Sequence, residues 1–273
     1  MSQAASMNVS TAVNAFDRVA RSYDELFTRS AIGQAQRKRV WQRLLQAFAP
    51  GERILELNCG TGEDARFLAR QGRRIVACDA SAAMIDVAVA RTKMEAAGAD
   101  ITFRRLANED LSILPRQKPF DGAYSNFSGL NCAADLGPIA RNLASLVRPG
   151  GRVLLCVWSR MCAWEIVWYL LHGQSRKAFR RLPGRATARV GELTITVRYP
   201  TVREVQRAFA PWFALQRRRA IGLFVPPSYA EDWARKHETT LRNCQRLDGV
   251  FATWPVLRDV GDHILLEFTR CSL

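Results

Sequence analysis

ILELNCGTGEDARFL, residues 54–68, decides how this chain folds. Ile54, Leu55 and Leu57 with Glu56 between them form a short strand pattern, two glycines follow, and Glu63 onwards has a helical pattern. Gly60 and Gly62 lack a Cβ, so the backbone can turn tightly and approach a ligand closely. The helix that follows offers unpaired N–H groups to a negative group. Outward from this stretch the alternation recurs: RIVACDA then a helical pattern over 82–97, ITFRRLA, FDGAYSNF then 136–147, and GRVLLCVWS. Strands separated by helices of this length imply right-handed crossovers and a parallel sheet covered on both faces.

In such a sheet, ligands sit at the carboxyl ends of the strands, near the point where strand order reverses. GTGEDA satisfies the G-x-G-x-x-G/A dinucleotide pattern, but a lone match of that kind is weak. Glu56, at the end of the first strand, discriminates further: its carboxylate would oppose a pyrophosphate and suits a cationic ligand. S-adenosylmethionine carries both an ammonium and a sulfonium. Asp79, at the end of the second strand, can accept hydrogen bonds from both hydroxyls of a ribose.

The chain resembles the class I S-adenosylmethionine-dependent methyltransferases, in the small-molecule and quinone-biosynthesis branch. The resemblance rests on ILELNCGTGEDA, VACDASAAMIDVA, FDGAYSNF and LVRPGGRVLLCVWS, with AFDRVARSYDELF similar to the helix preceding the core, and spans residues 15 to 160. It implies S-adenosylmethionine as cofactor and S-adenosylhomocysteine as product. Glu56, Asn58, Gly60 and Gly62 would surround the methionine part, closed over by Tyr23. Asp79 would hold the ribose, with Ala80 and Met84 against the adenine and Asn108 and Glu109 at its edge. Asn126 would lie beneath the sulfonium. Asn58 stands where a glycine is common, which is tolerable at an ordinary backbone angle, and Ala107 stands where an acid is usual, which leaves a backbone N–H of Asn108 to meet the ring.

The expected fold is therefore α/β: a Rossmann-like, doubly wound, mostly parallel seven-stranded sheet with helices on both faces and helical acceptor-side insertions. Residues 1–273 are expected to form a single domain, with an N-terminal helical cap over 15–48, a cofactor-binding core over 50–160, and lid or acceptor-side insertions over 160–200 and 222–261. In the later part, a basic amphipathic helix is expected over 162–181, then the strand LTITVRYP, a helix over 201–210, the strand FALQRRRAIGLF, and a closing strand DHILLEFTR.

Composition limits the function classes. No window approaches the roughly 18 to 20 apolar residues of a membrane span, and the amino terminus lacks the basic start and apolar core of a secretory signal. The seven cysteines form no C-x-x-C pair, so neither a zinc site nor a disulfide framework is expected, and no metal is assigned. A reducing cytoplasm is the expected compartment. The formal charge is +15, and residues 176–219 alone carry twelve basic residues against Glu192 and Glu204. Such a block suits an anionic substrate, nucleic acid or membrane surface.

Trp164, Val167, Trp168 and Leu171 fall on one helical face, with Arg176, Lys177, Arg180 and Arg181 at its end. That pattern fits a lid over an apolar pocket, or peripheral membrane contact through 162–181. The expected acceptor is a small molecule or a lipid-like metabolite. An RNA methyltransferase is the weaker alternative because no N-P-P-[YF]-like motif is present, and a non-catalytic cofactor-binding partner is the third. Asn126 and His237 are the catalytic candidates, with Asn131 and His172 considered as well; His263 is expected to be structural.

Overall fold

The computed structural model describes residues 3–116 and 118–272. Helices α1 (Gln3–Val19) and α2 (Ala31–Ala47) precede the sheet. The helical pattern from 15 to 48 is interrupted between them by a π-helical turn, Asp24–Thr28. Ser30 then caps α2, its hydroxyl accepting from Gly33 N at 2.9 Å. A Cβ at Gly33 would lie 2.2 Å from the Phe27 carbonyl, so this turn packs directly on the start of α2.

The core alternates as its sequence implies: β1 (Arg53–Leu57), α3 (Glu63–Arg70), β2 (Arg74–Asp79), α4 (Ala82–Glu95), β3 (Ile101–Arg105), β4 (Phe120–Ser125), α5 (Gly137–Leu146) and β5 (Val147–Trp158). The remainder adds α6 (Ala163–Leu171), α7 (Ser175–Ala178), β6 (Arg185–Val190), β7 (Leu193–Arg198), α8 (Val202–Phe209), β8 (Phe213–Ile221), α9 (Glu231–Lys236), α10 (Glu238–Phe251) and β9 (His263–Arg270). The main sheet has seven strands in the order β3-β2-β1-β4-β5-β9-β8. Its first five are parallel, and β9 runs antiparallel to both β5 and β8. Strand order reverses between β1 and β4, which places a crevice at their carboxyl ends.

Successive strand side chains point to opposite faces, which divides the core. Leu55, Leu57, Ala123 and Leu155 pack with Ile139 and Leu143 of α5 and Val205 and Phe209 of α8. Ile54, Tyr124, Leu154 and Leu265 pack with Val40 and Leu44 of α2 and Ala65 and Leu68 of α3. The doubly wound, mostly parallel seven-stranded fold is as expected.

The insertion over 160–200 differs from the expected long helix followed by one strand. β6 and β7 form a separate two-stranded antiparallel hairpin turned through Gly191. β6, RATARV, is too weakly apolar to announce itself; its hairpin packs on the early helix, where Ala12 and Ala15 of α1 bury against Ile195 and Val197 of β7 and Tyr199, with Ala186 and Ala188 of β6 partly buried beside them. The helix expected over 162–181 is broken after Leu171, where Gly173 takes φ +68°, and α7 is only four residues long. Among the described residues no helix is long and apolar enough to cross a membrane.

Candidate active site

The crevice at β1 and β4 is roofed by α1, the π turn and the β6–β7 hairpin, enclosing a cavity of about 400 Å³. Tyr23, Asn58, Gly60, Asp79, Ala80, Met84, Asn108, Glu109 and Asn126 all line it. The tertiary structure thus gathers residues spread over a hundred positions of chain into one wall.

Asp79 organises the loop end. Its Oδ2 accepts from Gly60 N at 2.9 Å and its Oδ1 from Ser81 N at 2.9 Å, tying the glycine loop to the end of β2. Burial raises the carboxyl above its ordinary range, against the hydrogen bonds from Ser81 and Gly60 that lower it. Gly60 has φ +52°, and a Cβ built there meets nothing within 4 Å, so the loop leaves open space at that point. Met84 is buried in the wall against Val19 and Ala20. Tyr23 packs between Phe16 at 6.4 Å and Phe27 at 6.0 Å, and burial pushes its hydroxyl up to about 12.

Asn58 does not keep an ordinary backbone angle: its φ is +55°, in the left-handed region that asparagine tolerates better than most residues. Its Oδ1 accepts from Ser125 Oγ at 3.1 Å and from Asn108 Nδ2 at 3.3 Å. One side chain therefore joins the ends of β1 and β4 to the segment after β3.

Two expected cofactor residues lie outside the wall. Glu56 is buried, and strand alternation turns it with Ile54 into the layer beneath α2 and α3, beside Tyr124 in register. Burial, reinforced by the Asp64 carboxylate, pushes its carboxyl well above the ordinary range despite Tyr124, Arg37 and Arg66. Gly62 is also absent from the wall; it caps α3 at φ +74°, and a Cβ there would meet Phe103 and Ala88 at 3.0 Å.

Asp64, which sequence reasoning missed, lines this end beside Glu63. Its Oδ1 accepts from Arg37 Nη1 and Trp41 Nε1, each at 2.6 Å, and its Oδ2 from Asn126 Nδ2 at 2.9 Å. Burial would lower the Arg37 guanidinium, but the Asp64 carboxylate and its hydrogen bond more than offset this and leave Arg37 above its ordinary value. Asn126 also accepts from Phe127 N at 2.9 Å, so both ends of its side chain brace the wall rather than carry a proton. Burial raises the Cys59 thiol well above its ordinary value, which removes it as a thiolate nucleophile.

Of the other catalytic candidates, His237 is exposed between α9 and α10, stacked on Trp233 with Nδ1 2.9 Å from the Trp233 carbonyl, and does not reach the cavity. His172 does the same at the end of α6, on Trp168. Asn131 donates to the Arg198 carbonyl at 2.6 Å and accepts from Trp158 N at 3.1 Å, a strut rather than a base. His263, expected to be structural, lines the cavity with Trp158. The charged pair Asp262-His263 ahead of the apolar strand ILLEF was the signal that could have found it.

No residue of 162–181 lines the cavity, so the aromatic helix is not its lid. Glu165 of α6 is buried and binds Arg180 and Arg181, each at 2.5 Å, while Arg181 also reaches Asp262 at 2.8 Å. Arg181 of the basic block is thus buried and Arg180 is held at the surface by Glu165, while the rest are divided among α7, β6, β7, α8 and β8. Among the described residues no cluster of three or more His, Cys, Asp or Glu could hold a metal ion.

Residues 54–151, from β1 through the turn into β5, match the family model described as a methyltransferase domain. Residues 54–151 are a methyltransferase domain. Over 148 residues the chain is 33% identical to a demethylmenaquinone methyltransferase of Mycobacterium tuberculosis, covering 53% of this chain and 57% of that protein. The chain therefore spans little more than half the length of this curated relative. Among solved structures, an S-adenosylmethionine-dependent methyltransferase from Mesorhizobium loti superposes with a TM-score of 0.56 at 17% identity, covering 88% of this chain and 100% of that one. The phosphoethanolamine N-methyltransferase 2 of Haemonchus contortus, in complex with S-adenosyl-L-methionine, gives 0.58 at 14% identity, covering 94% of this chain and 57% of that one. The resemblance read from the motifs is borne out, and the shared fold extends beyond the methyltransferase domain to the cap and the insertions.

Proposed function

We propose that this protein transfers a methyl group from S-adenosylmethionine to a small-molecule or lipid-like acceptor. The observation that carries the reading is Asp79 fixed to Gly60 at 2.9 Å in the wall of a cavity at the strand-order reversal. The wall fits the cofactor. Asp79 has lone pairs for hydroxyls, Gly60 leaves room beside the loop, and Ala80 and Met84 offer an apolar surface next to Asn108 and Glu109. Asn58, Tyr23 and the Asp64–Arg37 pair would border its methionine part, with Asn126 bracing Asp64. When bound, the cofactor supplies an activated methyl on a sulfonium. The protein's part is alignment and exclusion of water, and alignment accounts for about 7–11 kcal/mol of such barriers.

In this reading residues 50–160 hold the cofactor, and 15–48 with the β6–β7 hairpin close over it. The acceptor end is apolar, lined by Phe16, Phe27, Phe127, Trp158 and Ile195. The stretch 162–181, broken as it is, serves instead as an outer surface. Val167, Trp168, Leu170 and Leu171 are exposed there beside Arg176 and Lys177, a composition that suits peripheral contact with an anionic membrane. All seven cysteines are free, which accords with a cytoplasmic location.

The test is incubation with methyl-labelled S-adenosylmethionine and a host extract separated into lipid, small-molecule, nucleic-acid and protein fractions. Label is expected in the lipid or small-molecule fraction and lost with Asp79→Asn. Label confined to RNA or protein would overturn the acceptor class.

A further inference from the structure

A second cavity, of about 560 Å³, lies between α2, the edge strand β8 and α10. It shares no lining residue with the cavity at β1 and β4. Leu45, Ala220, Ile221 and Ala252 give it an apolar part, and Arg39, Gln42, Arg43, Gln46 and Arg219 a polar one. The two local periods bring these cations together. Arg39 and Arg43 stand one turn apart on α2. Alternation along β8 puts Arg219 on the face of Ile221, which packs beneath α2.

The arginines are not equally satisfied. Arg43 holds Glu267 of β9 through Nε at 2.8 Å and Nη2 at 2.7 Å, so its charge is matched. Arg39 donates to the Gln245 carbonyl of α10, which it reaches because residue 249 is glycine; a Cβ there would lie 2.7 Å from its Nη2. Arg219 is half-buried, yet among the described residues it has neither an ion pair nor a hydrogen bond. Burial and the Arg43 guanidinium lower it below its ordinary value; Glu267 opposes them, and Arg39 and Arg217 lower it further.

The hydrogen-bonding groups left over in the wall are donors. Gln42 turns its Oε1 to Arg39 Nη1 at 3.3 Å, and Gln46 turns its Oε1 to Arg43 Nη1. Both amide nitrogens are thereby left without a partner among the described residues. Arg219 adds five N–H donors in a planar fork. Asp248 also lines the cavity, but it is 4% exposed and is occupied by Phe224 N at 2.6 Å. A wall of free donors around an unmatched guanidinium selects an anion rich in acceptor oxygens. Because the donors come from α2 on one side and β8 on the other, a tetrahedral phosphate meets them more fully than a planar carboxylate, and it matches the guanidinium fork with two parallel hydrogen bonds. The volume falls within the range of about 300–1,000 Å³ that holds small organic ligands, and the apolar part suits the organic group of an ester.

We propose that this cavity is a second ligand site that takes a small, soluble phosphate ester, with Arg219 receiving the phosphate and Gln42 and Gln46 completing its hydrogen bonds. The site goes beyond the methyl-transfer reading and does not depend on it.

The test is calorimetric titration of the full chain with 1-naphthyl phosphate, with and without S-adenosylhomocysteine. Equal binding in both conditions is expected, and affinity should fall at least about tenfold in Arg219→Gln. Arg219→Lys, which keeps the charge but loses the fork, should bind between the two. Arg203→Gln removes the same charge from the exposed face of α8 and should leave affinity within about twofold. Urea unfolding separates a ligand arginine from a structural one: Arg219→Gln should unfold at no lower urea concentration than the unaltered protein, because it relieves repulsion. Absence of binding, full affinity in Arg219→Gln, an equal loss in Arg203→Gln, or displacement by S-adenosylhomocysteine overturns the site. Vesicles of phosphatidylcholine with phosphatidic acid present the same group on a lipid. Vesicle association unchanged by Arg219→Gln supports the soluble source. Vesicle binding that needs Arg219, with no binding of 1-naphthyl phosphate, overturns it in favour of a lipid headgroup.

Discussion

Asp24 in the π turn accepts a hydrogen bond from the Thr61 hydroxyl of the glycine loop at 2.7 Å, and both residues are buried. The other Asp24 oxygen accepts from Arg91 Nη1 of α4 at 2.6 Å. One carboxylate thus fastens the cap to the loop and to the helix after β2. Thr61→Val removes one of these bonds and should cost about 1 kcal/mol of stability. Amides over 20–28 should exchange faster in that variant when followed by hydrogen exchange. Unchanged exchange would mean that apolar contacts alone hold the cap.

The two loop glycines should separate binding from folding. Gly62→Ala meets Phe103 and Ala88 at 3.0 Å and forces a side chain onto φ +74°. A loss of roughly 2–3 kcal/mol in urea unfolding is expected from that overlap and strain together. Gly60→Ala meets no atom and bears only the cost of its φ, about 1–2 kcal/mol. Calorimetric titration with S-adenosylhomocysteine should nevertheless show the larger loss of affinity for Gly60→Ala, once both are compared under conditions where they are folded.

Arg181 bridges two buried carboxylates, Glu165 and Asp262, at 2.5 and 2.8 Å. Replacing it with methionine strands those charges, since only Arg180 remains on Glu165. A loss of about 3–5 kcal/mol is expected in urea unfolding, the usual result of breaking a buried pair from one side. A change below 1 kcal/mol would show that water relieves the acids.

Asp248 on α10 sets a pH dependence. Burial pushes its carboxyl up to about 6, although it accepts from Phe224 N at 2.6 Å. The folded protein therefore holds more protons here than the unfolded chain between about pH 4 and 6, and stability from this group falls as pH rises through that window. The change is roughly 2–3 kcal/mol. Asp248→Asn keeps an acceptor for Phe224 and should flatten that part of the profile, which urea midpoints at pH 4.5 and 6.5 would measure.

The strands and helices of the first half were legible because each carries its own period, and the glycine loop because Gly60 and Gly62 sit between two such elements. Glu56 lies away from the cavity wall for a definite reason. Its position at the strand end was clear, but which face of β1 it joined depended on α2 and α3 covering Ile54 and Tyr124. The β6 hairpin strand was invisible because RATARV alternates polar and small residues, and only pairing with β7 beside α1 makes it a strand. That His263 lines the cavity was hidden because Phe127 and Trp158, which pack against its ring, come from distant parts of the chain.

The order of apolar and polar residues, by itself, determined a mostly parallel sheet with Asp79 and the glycine loop at its carboxyl edge, because strand and helix periods and glycine's freedom are local properties. Which side chains face the cavity was decided only by the tertiary structure. Burial, ion pairing and ring packing are set by groups far apart in the chain, so a carboxylate such as Glu56 can be hidden beneath the helices while Asp64, eight residues on, lines the wall paired with Arg37.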